Sequence, residues 1–129
     1  MKYTGSCLCG SITFRADSVK WCGHCHCSLC QRAHGAAFVT WVGVSTDVAS
    51  FEGEVHWHAS SPDSERGFCP ACGSTLFFRS ERWPGELHIV RANFDAECVI
   101  EPRAHGYWET HVSWVDYKDD LPKKVSNDG

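Results

Sequence analysis

Apolar and polar residues alternate in short runs along most of this chain. Ser11-Ile12-Thr13-Phe14-Arg15 spaces its apolar residues two apart, the period of a strand with one buried face. Val19-Lys20-Trp21-Cys22 predicts a second short strand. The run Ala37-Phe38-Val39-Thr40-Trp41-Val42-Gly43-Val44 is β-branched and aromatic and predicts a central strand. Glu54–His58, Ser74–Arg79 and Glu86–Ala92 predict three more, and Val112–Val115 is the last apolar patch. Ser60-Ser61-Pro62-Asp63-Ser64 reads as a loop and Trp83-Pro84-Gly85 as a turn. Gln31–His34, stopping at Gly35, reads as a single helical turn. Pro102 and Gly106 bracket a short segment carrying His105. Many short strands, frequent turns and almost no helix define an all-β domain. No repeat or linker divides the 129 residues, so one domain spans 1–129, with its core over about 3–116. The tail, 117–129, is polar and charged and is expected to fray.

Charge and composition narrow the partners. Twelve basic residues stand against sixteen acidic ones, a net charge of -4. Without a basic face, nucleic acid is not expected as a partner. No apolar run is long enough to span a bilayer, and Met1–Cys7 has no apolar signal-peptide segment, so neither membrane nor export is expected. Nine cysteines cannot all pair within one chain. In a chain without a secretory signal they read as metal ligands or catalytic thiols in a reducing compartment, and the expected location is cytoplasmic.

His24-Cys25-His26-Cys27-Ser28-Leu29-Cys30 crowds three cysteines and two histidines into seven residues. The spacing Cys25-x-Cys27-x-x-Cys30 lets three sulfurs converge on one tetrahedral ion, and zinc prefers such soft ligands. The fourth position then decides the role: filled by protein the site is structural, and filled by water or substrate it can do chemistry. Cys7-x-Cys9 and Cys69-x-x-Cys72 are two further knuckles, each followed by glycine and a strand. Together they make a closed four-cysteine site of the structural kind. A redox dithiol is the alternative for Cys69 and Cys72, but no βαβ context surrounds them. Two buried thiols is the alternative for Cys7 and Cys9.

Gly5-Ser6-Cys7-Leu8-Cys9-Gly10, then Cys25-His26-Cys27-Ser28-Leu29-Cys30 with Gly35-Ala36-Ala37-Phe38, then Phe68-Cys69-Pro70-Ala71-Cys72-Gly73, are specific as a set. In this order and approximate spacing they resemble the glutathione-dependent formaldehyde-activating enzyme family, which also includes centromere protein V. The resemblance runs from Tyr3 to about Leu121-Pro122. It implies an Mss4-like fold, a pair of β-sheets pinned by zinc. It implies two zinc ions per chain, a structural one on Cys7, Cys9, Cys69 and Cys72 and a catalytic one on Cys25, Cys27 and Cys30. The implied activity is that of S-(hydroxymethyl)glutathione synthase, a carbon–sulfur lyase joining glutathione, as co-substrate, to formaldehyde. Its partners would be a small-molecule thiol and an aldehyde.

The residues fit that chemistry. Three thiolates around Zn²⁺ give a net charge of −1, so strongly acidified water is not the obvious purpose, and a thiol is the better guest. A proton must reach the aldehyde oxygen, and His26, His24 or His34 could deliver it, with His26 first because it lies between two ligands. Arg32 is the nearest candidate partner for a glutathione carboxylate. Other residues leave alternatives open. Cys22 could close the second site as a fourth ligand, which would leave a zinc-stabilised binding module without catalysis. Cys98 reads as a free thiol, and His56 and His58 as an exposed strand face. His105 falls where the family tends to carry a histidine. Trp41 and Phe38 are candidates for pocket wall or core.

Overall fold

The computed structural model describes residues 2–126. The chain is all-β, as its alternation predicts, and it forms a pair of sheets. β1 (Tyr3–Ser6), β2 (Thr13–Ala16) and β5 (Ala49–Glu52) make a three-stranded antiparallel sheet in the order β1-β2-β5. β3 (Trp21–Cys25), β4 (Val39–Ser45), β6 (His56–Ser61), β7 (Ser64–Phe68), β8 (Thr75–Ser80), β9 (Glu86–Val90) and β10 (His105–Gly106) make the second. Its order is β10-β3-β4-β9-β8-β7-β6, and all its pairs are antiparallel except β10 with β3.

Register gives the large sheet two different faces. Gly23 pairs with Trp41, Trp41 with Val90, Gly43 with His88, and His88 with Phe78. Paired residues share a face, so these side chains stand on one side of the sheet. Cys22, Val42, Val44, Phe77 and Ile89 stand on the other, where they pack with Ile12, Phe14 and Ala16 of the small sheet in the main core. A second cluster lies on the first face, where Cys30, Val39 and Trp41 meet Cys25, Cys27 and Phe78.

Several elements depart from the expected ones. The helix is α1, Ser28–His34, longer than the predicted turn and starting inside the cysteine run. Cys27 caps it, its sulfur accepting from the Cys30 N–H at 3.3 Å, and Gly35 ends it in the left-handed conformation. A thiol is an unusual cap, which hid this start. The predicted loop Ser60–Ser64 is a hairpin in which only Pro62 and Asp63 lie between the strands. Ser64 is buried and its hydroxyl donates to Ser80 at 2.9 Å. Val112–Val115 is not a buried element, and Trp114 is exposed.

The largest departure is the tail. Residues 117–126 are docked, and 127–129 lie outside the described residues. The His105 N–H donates to the Pro122 carbonyl at 2.8 Å, and the Lys124 N–H donates back to the His105 carbonyl at 2.8 Å. The Trp108 N–H donates to the Lys124 carbonyl at 2.9 Å. Asp119 accepts from Nε2 of buried His105 at 2.9 Å, and Tyr117 packs its ring against His26 and His105. Composition marks a segment as polar but says nothing of a buried imidazole waiting for its carboxylate.

Deletion of residues 117–129 is therefore expected to cost about 2 kcal/mol, or a Tm lower by about 5–10 °C. Scanning calorimetry of the truncated and full chains checks this, and an unchanged Tm would show that the segment contributes nothing.

Candidate metal centres and substrate cavity

The two outer knuckles meet in space. Cys7 and Cys9 lie on the turn after β1, and Cys69 and Cys72 on the turn between β7 and β8. Gly10 and Gly73 take φ of +83° and +80°, a bend only glycine makes without strain, and each reverses the chain directly after its knuckle. All four sulfurs lie within 4.8 Å of one another. The Cys7–Cys9 and Cys9–Cys69 sulfur separations are 3.7 and 3.9 Å. A tetrahedral ion with sulfur at 2.3 Å requires edges of about 3.8 Å, so these residues fit a closed zinc site. Polar neighbours are set to support thiolates. The Ser11 hydroxyl lies 3.1 Å from the Cys9 sulfur, and the Ser74 hydroxyl 3.2 Å from that of Cys72. Hydrogen bonding from Ser74 holds the Cys72 thiol down at about 5. Cys7 and Cys69 are buried in the main core.

Cys25, Cys27 and Cys30 form the second cluster, again with every sulfur within 4.8 Å of the others. β3 ends at Cys25, and α1 begins just after Cys27, so a strand end and a helix cap aim the three thiols at one point. Hydrogen bonds from the Cys25 and Cys30 thiols push Cys27 down to about 2, and the same contact with Cys27 pushes Cys25 up. A cluster that already favours a thiolate is a donor set suited to zinc. Cys22 is no part of it. One residue out of phase with Gly23 and Cys25, it points into the main core, where burial raises its thiol to about 11. That corrects the alternative in which Cys22 closes the second site. Cys98 is likewise buried in the main core, near the Thr4 carbonyl.

A cavity of about 760 Å³ opens over the free face of the large sheet, a volume within the usual range for small-molecule sites. Cys25, Cys27 and Cys30 line it. Its cations are Arg66, Arg82, Arg103 and Lys124, and its anions Asp63 and Glu86. Arg66 comes nearest the cluster, with Nη2 3.8 Å from the Cys30 sulfur and the guanidinium 5.1 Å from the centre of the Phe78 ring.

Two expected roles move. Arg32 is exposed and does not line the cavity, so the guanidinium beside the cluster is Arg66. Arg66 reaches it because β7 pairs with β8 in register, a long-range placement with no local signal. Lys124 and Arg103 likewise arrive with the docked tail and the segment before β10. His26 is fully buried and does not line the cavity. Asp119 accepts from His105 Nε2 at 2.9 Å, and His105 Nδ1 lies 2.8 Å from His26 Nε2, so the two rings and the carboxylate form one hydrogen-bonded chain. Burial pushes His26 down to about 4, and its Nδ1 has no hydrogen-bond partner among the described residues. His26 thus props the metal turn from behind and is not placed to hand a proton to substrate. His34 is also off the cavity, with Nδ1 2.8 Å from the Thr75 hydroxyl. His24 pairs with Thr40, one residue out of phase with Gly23 and Cys25, so its ring turns to the back of the sheet, with Nδ1 2.8 Å from the Thr40 hydroxyl and the ring against Phe38 and His105. Trp41 lines the cavity while Phe38 packs on His24 and His26. His56 and His58 are exposed, as expected.

Fold and site together define a two-sheet β-protein with one four-cysteine and one three-cysteine cluster, each of which could hold a metal ion. The family model for glutathione-dependent formaldehyde-activating enzymes matches residues 2–110, and the chain belongs to that family. A Halomonas elongata protein provisionally named a glutathione-dependent formaldehyde-activating enzyme is 30% identical, over 90% of this chain and 81% of its own. An uncharacterized lyase of Schizosaccharomyces pombe is 34% identical, over 96% of this chain and 97% of its own. A crystal structure of a Rhodobacter sphaeroides protein shares the fold, with a TM-score of 0.58 at 16% identity, covering 93% of this chain and 98% of that one. No helix among the described residues is long and apolar enough to cross a membrane.

The two clusters should respond differently to loss of a ligand. Cys69→Ser removes a fully buried core ligand and is expected to lower Tm by more than about 10 °C or prevent folding. Cys27→Ser keeps an oxygen able to cap α1 and should retain the fold while losing one bound metal ion. Calorimetry with metal analysis of reduced protein checks both, and equal destabilisation would make both sites structural.

Proposed function

We propose that the protein is a zinc-dependent carbon–sulfur lyase that adds a glutathione-type thiol to a small aldehyde and reverses that addition. The observation that carries this reading is the cavity opening onto Cys25, Cys27 and Cys30 while no fourth protein ligand joins them among the described residues. That argues against the alternative of a non-catalytic, zinc-stabilised binding module. Bound there, zinc would supply a cationic seat that favours the deprotonated form of a substrate thiol.

The chain's own residues supply the rest. Glutathione has two carboxylates and one ammonium. Arg82, Arg103 and Lys124 match the carboxylates, and Asp63 matches the ammonium. In the reaction the thiol sulfur bonds to the carbonyl carbon, the C=O π bond breaks, and the thiol proton ends on the new hydroxyl. No oxidant or reductant is needed. Arg66, beside the sulfurs, is the nearest cation to the oxygen on which negative charge develops, and a guanidinium there stabilises it. The rings of His24, His26 and His34 all turn from the cavity, so the thiol proton reaches the new hydroxyl through the solvent that the open cavity admits. Holding thiol and aldehyde together in one pocket lowers the entropic barrier. The substrates are small molecules, two zinc ions per chain are expected, and a reducing cytoplasm suits nine cysteines without a disulfide.

Glutathione binding releases the thiol proton, so its affinity should rise with pH, by about tenfold per unit below the thiol's pKa. S-methylglutathione has no such proton and should bind more weakly with a flat pH profile. Calorimetric titration across pH checks this, and equal affinity for the two at every pH would sink the reading. Arg66→Ala should retain metal and slow hemithioacetal exchange with formaldehyde by about 100-fold, read by NMR exchange at equilibrium.

A further inference from the structure

The floor of the cavity does not match glutathione and formaldehyde alone. It is a continuous aromatic strip that begins at the sulfurs. Trp41 packs with Cys30, and its ring lies 6.0 Å from Phe78. Phe78 lies 6.2 Å from Trp83 and 5.6 Å from His88. His88 lies 4.7 Å from Trp21. His88 is buried, with Nε2 held 2.9 Å from the Glu86 carboxylate, and its ring is packed between Phe78 and Trp21 as part of the strip. The strip therefore leads from the reacting sulfur along β4, β8 and β9 to Trp21 and Trp83.

Glycine keeps that floor low. A Cβ at Gly43 would collide with the Trp21 indole, so the indole lies on bare backbone. The opposite face of the same sheet is sealed by the small sheet, whereas this face is left open over its aromatics. Core packing requires neither an open face nor a charged border. Arg66 and Arg82 stand on the β7–β8 side of the strip, and Arg103 and Lys124 toward β10.

A tripeptide with two carboxylates, an ammonium and two amides is served by that charged border. A one-carbon aldehyde reaches no further than the first ring. The geometry points to an aldehyde partner bearing an aromatic or bulky apolar group, which lies on the Trp41–Phe78–Trp83 strip while the thiol-bearing peptide engages the charged border. The inference rests on the lyase reading for its chemistry, and names the class of adduct the cavity takes. The reaction is balanced as before: sulfur bonds to the carbonyl carbon and the thiol proton ends on its oxygen.

Binding tests the inference apart from catalysis. S-benzylglutathione and S-methylglutathione both lack the thiol proton and differ only in the ring. By tryptophan-fluorescence titration of the metal-loaded protein, the benzyl compound is expected to bind at least about tenfold more tightly. Trp83→Ala, on an exposed turn, should remove most of that advantage. The second measurement is hemithioacetal exchange with glutathione, followed by NMR for phenylacetaldehyde and formaldehyde. Greater acceleration over the spontaneous rate is expected for phenylacetaldehyde. Equal affinity for the two S-alkyl compounds overturns the inference. With acceleration of formaldehyde exchange, that result leaves the lyase reading intact. A Trp83-dependent benzyl preference without acceleration for any aldehyde supports the assigned ligand class and sinks the lyase reading.

Discussion

The register of β3, β4 and β9 is the constraint on which the molecule depends. Side chains in a strand alternate with a period of two, so a slip of one residue exchanges the faces. In the register observed, Val42, Val44 and Ile89 go to the core. Trp41, Gly43 and His88 go to the open face. A one-residue slip of β4 would bury Gly43 in the core and lift Val42 and Val44 into the cavity. The same register carries Cys25 to the cavity side and Cys22 to the core side, although the two lie three residues apart. Ligand choice in the second cluster is thus a consequence of strand pairing and not of cysteine identity.

The second dependence is the join between the metal turn and the tail. His26 lies between two cysteines of the cluster, and its ring is held by His105, which is held by Asp119. Both imidazoles are buried, and a buried polar ring without a partner is costly. The tail therefore docks because the turn behind the cluster needs a carboxylate at its far end. Docking in turn brings Lys124 to the cavity border. One short segment thus joins the stability of the cysteine turn to the composition of the cavity border.

These two dependences account for what the sequence made legible. Strands with a local period of two were visible, as in Thr13–Ala16 and Val39–Ser45, and so was the grouping of seven cysteines by spacing and by glycine. β1, β5, β7 and β10 were not, since each is short and owes its pairing to distant chain. Tyr3–Ser6 is held by β2 and by a bridge from Gly5 to Phe94. Choosing Arg32 for the cavity rested on nearness in sequence, but α1 leaves that side chain in solvent while the β7–β8 pairing carries Arg66 to the sulfurs. Choosing His26 for proton transfer rested on its position between ligands. In an extended segment, a residue between two that face the cavity faces away from it, and this alternation is what buries His26.

Charge distinguishes the surroundings of the two clusters, on the reading that each holds a divalent ion. Four thiolates around a divalent ion carry −2, and at the first cluster serine hydroxyls and the Ile12 N–H stand around sulfurs that are partly core. Nothing in that arrangement leaves a ligand position for substrate. Three thiolates around a divalent ion carry −1, and a substrate thiolate would raise this to −2 in a pocket partly shielded from water. Such a charge is tolerated only with cations close by. Arg66 stands within hydrogen-bonding range of a sulfur, and three further cations line the cavity. A closed structural site would have no use for them. Arg66 at the sulfurs and three further cations along the cavity, in a chain whose net charge is -4, are the electrostatic counterpart of a cluster with no fourth protein ligand among the described residues.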